Sequence, residues 1–429
     1  MLFIFQMFSY LYRQKTLKMI ECALGDKCMD IKTKSSKENR IIFICWLAYT
    51  AAYVGRLNFN ASIVAIISDL GVTKAEAGLV SSFFFFAYGA GQLINGILSK
   101  RYNAKIMIFI SLFCSGVFNI LMPLSNDIGV MKFIWLGNGI IQSVLWSTLI
   151  KTLSDYVSDK KLPKAILSMS TTVAVGTFIA YGISSISVKF GSWHTVFYVA
   201  AVVLFVSAVI WFALFDKAPE KVTEPKENTQ KIKIGGSVLL ALFLAAFAGM
   251  ANGFIKDGIN TWVPSVLYEE FNISQSFSIL LTLLLPTVST LGAAIARKIH
   301  EKIPSHSTMN LIFFMFSAIL CGGILLSLKL HSVVAVMLCF MCVACGMAMI
   351  NNVITSMFAL DYRRVLNAGF AAGLLNTFCY IGSTTTSYTL GAVAQSSGWN
   401  AVFIIMLCVS LIAGSICFAG MLCERKIEK

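Results

Sequence analysis

The chain has 429 residues, of which 57% are hydrophobic and only 13% are charged. Ordinary soluble domains carry about 25% charged residues, so this composition excludes a soluble enzyme and a disordered chain. It also excludes a nucleic-acid-binding protein whose positive charge lies on one exposed face, although the net charge is +14. Long apolar runs with only 7 prolines favour a bundle of membrane helices over a β-barrel, whose strands are weakly apolar.

Apolar windows of about 20 residues, the length that crosses a bilayer, predict an all-α membrane protein with twelve transmembrane helices. The helices are predicted at about 41–68, 77–99, 104–124, 130–156, 164–189, 193–215, 236–267, 274–296, 308–328, 332–358, 365–393 and 399–422. Thr73-Lys74-Ala75-Glu76 has the pattern of a capping box before the second helix, and Asn272-Ile273-Ser274 is expected to play a similar role before the eighth.

The basic residues predict the orientation of these helices. With both termini in the cytosol, 28 of the 34 Lys and Arg residues lie inside and four lie outside, as the positive-inside rule requires. We therefore expect a multi-pass protein of the plasma (inner) membrane with both termini cytosolic. The two basic residues that topology does not explain are Arg56 and Lys256.

An internal repeat indicates two pseudo-symmetric six-helix bundles. Trp193-His194-Thr195-Val196-Phe197 recurs 206 residues later as Trp399-Asn400-Ala401-Val402-Phe403, and Arg56 and Asn60 recur 200 residues later as Lys256 and Asn260. The predicted organisation is a cytosolic tail at 1–39, a bundle at 40–216, a cytosolic linker at 217–235, a second bundle at 236–424 and a cytosolic tail at 425–429. This is the plan of major-facilitator transporters, which hold their substrate between the halves.

Arg56 and Lys256 are the first candidates for a binding site. A charge at the bilayer centre costs about 2.5–3.5 kcal/mol on insertion scales, so each cation needs a partner or a ligand. Asp257 follows Lys256 directly but is expected about 100° away around the helix. Two deep cations without a deep acid favour an anionic ligand on the pseudo-two-fold axis. The alternative is that the protein neutralises a cation internally.

Polar and aromatic residues at helical spacing predict the rest of the cavity. One such stripe alone is more typical of helix–helix packing, but here they occur on the first, second, fourth, seventh and eleventh helices. The candidate substrate-binding residues are Tyr49, Tyr53, Asn60, Tyr88, Gln92, Asn138, Gln142, Trp146, Asn260, Asn376 and Tyr380. Nucleophile-elbow, phosphate-loop and zinc-protease motifs are absent, so we expect no enzyme, no catalytic residues, no cofactor and no metal site.

Several stretches resemble a known family. Gly96–Lys105 resembles the signature loop of the major facilitator superfamily, with Lys100 in place of the family's acidic residue. Five further stretches, in order, resemble the organophosphate:phosphate antiporters. They are Tyr49…Tyr53-x-x-Arg56-x-Asn58-Phe59, Ala87-Tyr88-Gly89 with Gly96, Asn138-Gly139-x-x-Gln142-x-x-x-Trp146, Gly258-Ile259-x-x-Trp262-x-Pro264, and Ala371-Ala372-Gly373 with Phe378-x-Tyr380-x-Gly382.

The resemblance implies the major facilitator fold, with Arg56 and Lys256 holding phosphate and Trp262 added to the substrate-binding set. Lys256 departs from a family that often has Arg at that position. The glycerol-phosphate branch has a lysine where Gln92 stands and a histidine near Val173, so the resemblance argues against glycerol-3-phosphate.

The predicted function is transport of a phosphorylated organic anion, such as a sugar phosphate, by alternating access in exchange for inorganic phosphate. The expected partners are this small anion, inorganic phosphate and the lipid bilayer, with no nucleic acid, and the protein is expected to be a monomer. Two alternatives stay open at this point. One is a proton-coupled symporter of organic anions such as carboxylates, and the other is a sugar-phosphate sensor that does not transport.

Overall fold

The computed structural model describes residues 2–98, 103–215, 236–358 and 368–427. These parts of the chain form helices and no strand. The helices are α1 Leu2–Leu70, α2 Lys74–Leu98, α3 Ala104–Leu121, α4 Ile128–Gln142, α5 Leu145–Tyr156, α6 Leu162–Phe190, α7 Trp193–Phe215, α8 Gly236–Phe271, α9 Gln275–Thr282, α10 Leu284–His300, α11 His306–Lys329, α12 Val333–Asn352 and α13 Ala368–Ile427. The predicted linker at 217–235 and the basic residues Lys100, Arg101, Arg363 and Arg364 lie outside the described residues.

Eleven helical segments within the described residues are long and apolar enough to cross a membrane. The last of them, Ala371–Leu422, has 52 residues, more than twice what one crossing needs. Gly398 interrupts it with a non-helical φ of 78° and ψ of 176°. The prediction of twelve spans therefore depends on counting this segment as two, before and after Gly398.

Two predicted helix starts are confirmed by their hydrogen bonds. At the start of α2, the Thr73 amide donates to Glu76 Oε2 at 2.8 Å and the Glu76 amide donates to Thr73 Oγ1 at 3.2 Å. This reciprocal pair is a capping box. The Ser274 hydroxyl accepts from the Phe277 amide at the start of α9. Each cap satisfies an amide that would otherwise lack a partner in the first helical turn.

The repeat in the sequence corresponds to a repeated contact in the structure. Trp193 Nε1 donates to Asp69 Oδ2 at 2.8 Å, which joins the start of α7 to the end of α1. Trp399 Nε1 donates to Glu269 Oε2 at 3.0 Å, which joins the residue after Gly398 to the end of α8. The two halves thus close the same end of the bundle with the same type of hydrogen bond.

The two halves meet closely at this end, which is called the Lys74 end below. Lys74 Nζ forms a salt bridge with Glu269 Oε2 at 2.9 Å, and Asn60 Nδ2 donates to Thr261 Oγ1 at 3.2 Å. Gly391 of α13 packs against the Lys74 carbonyl so closely that a Cβ atom would meet that oxygen at 2.6 Å. Small residues thus allow backbones of the two halves to approach, as is common between membrane helices.

Pro264 creates another contact between the halves. It lies inside α8 and has no amide hydrogen, so the Asn260 carbonyl four residues earlier lacks its helical donor. The Tyr181 hydroxyl of α6, in the other half, donates to this carbonyl at 3.1 Å. Nearby, Ser185 Oγ donates to the Ser276 carbonyl at 2.9 Å.

Within the second half, α8 and α13 pack backbone to backbone. A Cβ atom on Gly253 would collide with the Cys379 carbonyl, and one on Gly382 would collide with the Met250 carbonyl. Gly253 and Gly382 therefore allow the two backbones to approach closely. This contact fixes the position of Lys256 on α8 relative to Tyr380 on α13.

We expect Gly253→Ala to lower the midpoint of thermal unfolding in detergent, because the added methyl group forces α8 and α13 apart and overpacking costs about 1–3 kcal/mol. The matched control is Gly346→Ala, since nothing lies within 4 Å of a Cβ atom built at that position. It should leave the midpoint unchanged or raise it slightly through better helix propensity. Equal midpoints for the two variants would contradict the packing described here.

Candidate functional site

Arg56 lies in a cage of tyrosine rings between α1 and α2. Its guanidinium carbon is 3.6 Å from the ring centre of Tyr53, 5.1 Å from that of Tyr88 and 5.6 Å from that of Tyr49. Tyr49 and Tyr53 precede Arg56 by seven and three residues, so they share its helical face. Cations within about 6 Å of an aromatic ring centre are attracted by the ring, and this attraction replaces part of the lost hydration.

The Arg56 guanidinium is buried and incompletely paired. The residue is only 7% exposed, and its Nη2 atom has no hydrogen-bond partner. Among the described residues, Arg56 forms no salt bridge. Buried charges are normally paired with an opposite charge. A buried guanidinium with a free donor is therefore arranged to receive an acceptor, and two oxygen atoms of a carboxylate or a phosphate fit its planar fork.

A chain of polar contacts extends from this cage into the second half. Gln92 Nε2 donates to the Tyr88 hydroxyl at 2.9 Å, and Asn376 Nδ2 donates to Gln92 Oε1 at 2.6 Å. The Tyr380 ring lies 4.9 Å from that of Tyr88. Trp146 closes the cage on the other side, with its ring 5.0 Å from that of Tyr49. The structure thus brings together eight of the predicted residues: Tyr49, Tyr53, Arg56, Tyr88, Gln92, Trp146, Asn376 and Tyr380.

Lys256 has a partner that the sequence analysis placed out of reach. Its Nζ atom lies 3.5 Å from Asp257 Oδ2, so the expectation that Asp257 points away is wrong. The angle of about 100° separates the two Cβ directions, but the long, flexible lysine side chain bends back around the helix. The Ser383 hydroxyl of α13 donates to the same Asp257 oxygen at 2.5 Å. Lys256 is therefore partly neutralised by the protein.

Lys256 is connected to the Arg56 cage through α13. Its partner Asp257 accepts from Ser383, which lies three residues after Tyr380 on α13, and the Tyr380 ring contacts that of Tyr88 in the cage. Arg56 is in the first half and Lys256 in the second, so an anion bound by both would contact both halves at once.

Asn138 and Gln142 lie elsewhere, in a network inside the first half. Both are 0% exposed. Asn138 Nδ2 donates to the Gly55 carbonyl at 3.0 Å, and Gln142 Nε2 donates to Ser115 Oγ at 2.8 Å. The Asn119 side chain also belongs to this network, because its Nδ2 atom donates to the same Gly55 carbonyl. These contacts give Asn138 and Gln142 a role in packing α1, α3 and α4 together, and a role in binding stays a prediction.

Asn60, Asn260 and Trp262 lie toward the Lys74 end. The Asn60 side chain donates to Thr261 Oγ1 in the other half. Asn260 takes part through its backbone carbonyl, which accepts from the Tyr181 hydroxyl. Trp262 is 1% exposed, packs its ring 6.0 Å from that of Trp399, and lies against Gly78 and Gly391. These residues join the halves beside the tyrosine cage, so the structure gives them interface contacts and leaves their binding role a prediction.

The geometry also adds residues that sequence reasoning missed. Ser383, Lys74 and Glu269 form polar contacts that cross between helices, and no periodicity within one helix reveals such pairs. A signal was present for Glu269, because it follows Asp69 by 200 residues at the same place in the repeat.

Comparisons with known proteins agree with this architecture. Residues 45–387 match the model of the Major Facilitator Superfamily. The chain belongs to the Major Facilitator Superfamily. Members of this family are membrane transporters and not enzymes, and this holds for the present chain. The predictions of an integral multi-pass membrane protein and of the major facilitator fold are confirmed.

Relatives and solved structures extend this result. The chain is 22% identical over 405 residues to a probable hexose phosphate transport protein of Chlamydia trachomatis, covering 87% of this chain and 89% of the relative. It is 22% identical to the membrane sensor protein UhpC of Escherichia coli over 398 residues, again covering 87% and 89%. These relatives confirm the predicted resemblance.

The fold is similar to that of a bacterial homologue of the human lysosomal transporter Spinster, solved in an inward-facing, unoccupied conformation. The TM-score is 0.79 at 14% identity, and the match covers 91% of this chain and 98% of the solved one.

We expect Asn138→Ala to destabilise the protein without weakening anion binding. The substitution removes buried hydrogen bonds, and each unsatisfied group costs about 1–3 kcal/mol. Asn376→Ala provides the contrast, because Asn376 belongs to the cluster around the Arg56 cage and its loss should lower affinity for a phosphate ester. Thermal unfolding and titration calorimetry measure the two effects. Weaker binding by a stable Asn138→Ala variant would instead place Asn138 in the site.

Proposed function

We propose that this protein moves a phosphorylated organic anion, such as a hexose phosphate, across the membrane by alternating access in exchange for inorganic phosphate. The proposal rests on the state of Arg56. Its guanidinium is buried, its Nη2 donor is free, and it forms no salt bridge among the described residues. A phosphate group supplies the acceptors that this donor lacks, since guanidinium and phosphate match in a bidentate geometry.

The charges of the site favour a phosphate over a neutral sugar. A phosphate monoester carries about −1.5 to −2 charges at neutral pH. Arg56 and Lys256 together offer two positive charges, of which Asp257 offsets one while it stays paired. A neutral ligand would leave the buried guanidinium uncompensated. The printed names of relatives such as the hexose phosphate transport protein of Chlamydia trachomatis support the same class of substrate.

The aromatic and amide groups beside Arg56 are suited to the organic part of the substrate. Trp146, Tyr88 and Tyr380 are half-buried or buried rings around the cation, and aromatic faces pack well against the C–H groups of a sugar. Gln92 and Asn376 offer amide groups for sugar hydroxyls once their mutual hydrogen bond opens.

We also infer that the protein resides in the plasma (inner) membrane as a monomer, with both termini in the cytosol. The distribution of 28 basic residues on one side and four on the other supports this orientation. In this orientation, the Lys74 end, where the two halves are joined, faces the outside of the membrane.

The test of the proposal is exchange in proteoliposomes loaded with inorganic phosphate. External labelled phosphate should enter only when internal phosphate or a hexose phosphate is present to leave. An antiporter gives no uptake into empty vesicles, with or without a pH gradient. Absence of exchange by the wild-type protein would refute the proposed function.

The same assay separates two other functions that specific observations favour. Similarity to the membrane sensor protein UhpC supports a sensor, for which phosphate esters bind and none crosses the membrane. The deep carboxylate of Asp257 supports a proton-coupled symporter, for which uptake into empty vesicles follows an imposed pH gradient.

We expect Arg56→Gln to abolish exchange while the protein still inserts and folds, because the substitution removes the buried positive charge. Arg56→Lys keeps the charge but loses the planar fork, so affinity should fall by about tenfold, the loss of one charge-assisted hydrogen bond. Lys256→Gln should also abolish exchange, whereas Lys256→Arg should retain it. The control is Lys189→Gln, which removes one positive charge from an exposed position.

Near wild-type exchange by Arg56→Gln and Lys256→Gln would show that the anion binds elsewhere. Loss of exchange by the Lys189→Gln control would instead indicate a general effect of net charge.

We expect Tyr380→Phe to change the preference among phosphate esters while leaving inorganic phosphate exchange nearly intact. The Tyr380 ring contacts the Arg56 cage from the second half, and only its hydroxyl is removed. A panel of hexose and glycerol phosphates competing with labelled phosphate measures the preference. Tyr156→Phe serves as control, because Tyr156 packs on Phe215 away from the cage. Equal loss for all anions would indicate a packing role for Tyr380.

A further inference from the structure

Asp257 is a buried carboxylate without a role in the anion site described so far. It is 8% exposed and follows Lys256 on α8. A buried charge has to be compensated by the protein, and here one oxygen atom takes both contacts. Asp257 Oδ2 lies 3.5 Å from Lys256 Nζ and accepts a hydrogen bond of 2.5 Å from the Ser383 hydroxyl.

The two contacts of Asp257 differ in strength. The Ser383 hydroxyl lies within hydrogen-bonding distance of the carboxylate, whereas 3.5 Å exceeds the distance of about 2.7–2.9 Å typical of a lysine–carboxylate hydrogen bond. The Lys256 side chain is 30% exposed and the Asp257 side chain 12%. Ser383 therefore fixes the carboxylate in place, and Lys256 is the partner that is free to move.

Lys256 also lies close to the cage of the cation in the other half. Ser383, the partner of Asp257, is one helical turn after Tyr380 on α13, and the Tyr380 ring is 4.9 Å from that of Tyr88 in the Arg56 cage. Without Asp257, the empty site would hold two uncompensated positive charges at the interface of the halves. With Asp257 paired, the three side chains sum to one positive charge.

We propose that Asp257 is an internal counter-ion that pairs with Lys256 while the site is empty and is displaced from it by the phosphate of the substrate. This inference rests on the proposed function of Arg56 and Lys256 as the anion site. Asp257 acts through Lys256 and does not touch the substrate, so it is a positioning residue. On binding, the Lys256 ammonium turns to the phosphate and the carboxylate keeps its bond from Ser383.

The consequence is that anion binding always includes the cost of breaking the Lys256–Asp257 pair. Removing the carboxylate should therefore tighten binding, the opposite of what a merely structural residue shows. We expect Asp257→Asn to lower the dissociation constant for inorganic phosphate by about tenfold, since an ion pair at this distance in a partly buried site is worth at least that factor. Asp257→Asn keeps an acceptor for Ser383, and Asp257→Ala tests the same point without one, since Ser383 also bonds to the Cys379 carbonyl.

The measurement is isothermal titration of the full chain in detergent with inorganic phosphate. Glu270→Gln is the matched control, because it removes one negative charge from the same helix 13 residues away, about 20 Å along the axis. It should leave the affinity unchanged. In a Lys256→Gln background, Asp257→Asn should no longer tighten binding, because the pair that it breaks is already absent.

The outcomes separate this inference from the proposed function. Unchanged or weaker binding by folded Asp257→Asn and Asp257→Ala variants overturns the inference, as does an equal gain from Glu270→Gln or a full gain in the Lys256→Gln background. If wild-type protein binds and exchanges phosphate and Arg56→Gln does not, such results leave the proposed function standing. Failure of the wild-type protein to bind phosphate overturns both.

Discussion

The buried guanidinium of Arg56 is the constraint around which the first half is arranged. A charge inside a membrane bundle costs several kcal/mol, and no carboxylate pairs with this one among the described residues. Tyr49, Tyr53 and Tyr88 compensate it with ring faces and leave one donor free. A carboxylate in their place would have paired with the cation, and an anion could then bind only at the cost of breaking that pair.

The pseudo-symmetric cations are compensated in different ways. Arg56 is surrounded by aromatic rings, whereas Lys256 lies beside the carboxylate of Asp257. The repeat preserves the position of the charge and the hydrogen bonds of Trp193 and Trp399 to acidic residues at the helix ends. The environment of each cation has diverged, so rings enclose the cation of the first half and a carboxylate pairs with that of the second.

Sequence reasoning predicted the parts that depend on composition and helical period. The apolar spans, the capping box at Thr73 and the common face of Tyr49, Tyr53 and Arg56 follow from properties of single segments. Contacts between segments were harder to predict. Asn138 and Gln142 have the spacing of cavity residues, yet they point into a network with Ser115 and the Gly55 carbonyl. The period of a helix fixes which residues share a face, and packing decides what that face meets.

The pairing of Lys256 with Asp257 also could not be predicted from helical geometry alone. Helical geometry fixes the directions of the two Cβ atoms, but the lysine side chain has four further bonds about which it turns. Its final position depends on Ser383, more than 120 residues later in the chain, which holds the carboxylate where the lysine reaches it.

The proline in α8 has a consequence for how easily the halves separate. The Asn260 carbonyl, deprived of its helical donor by Pro264, bonds to the Tyr181 hydroxyl of the opposite half, and water can donate the same bond once that hydroxyl leaves. The hydroxyl and carbonyl contacts of Ser185 and Ser276 can be exchanged for water in the same way. Opening at the Lys74 end therefore trades hydrogen bonds within the protein for nearly equal ones with solvent, and its enthalpy stays small. An interface built from such bonds fixes how the two halves align when closed, and it costs little enthalpy to open.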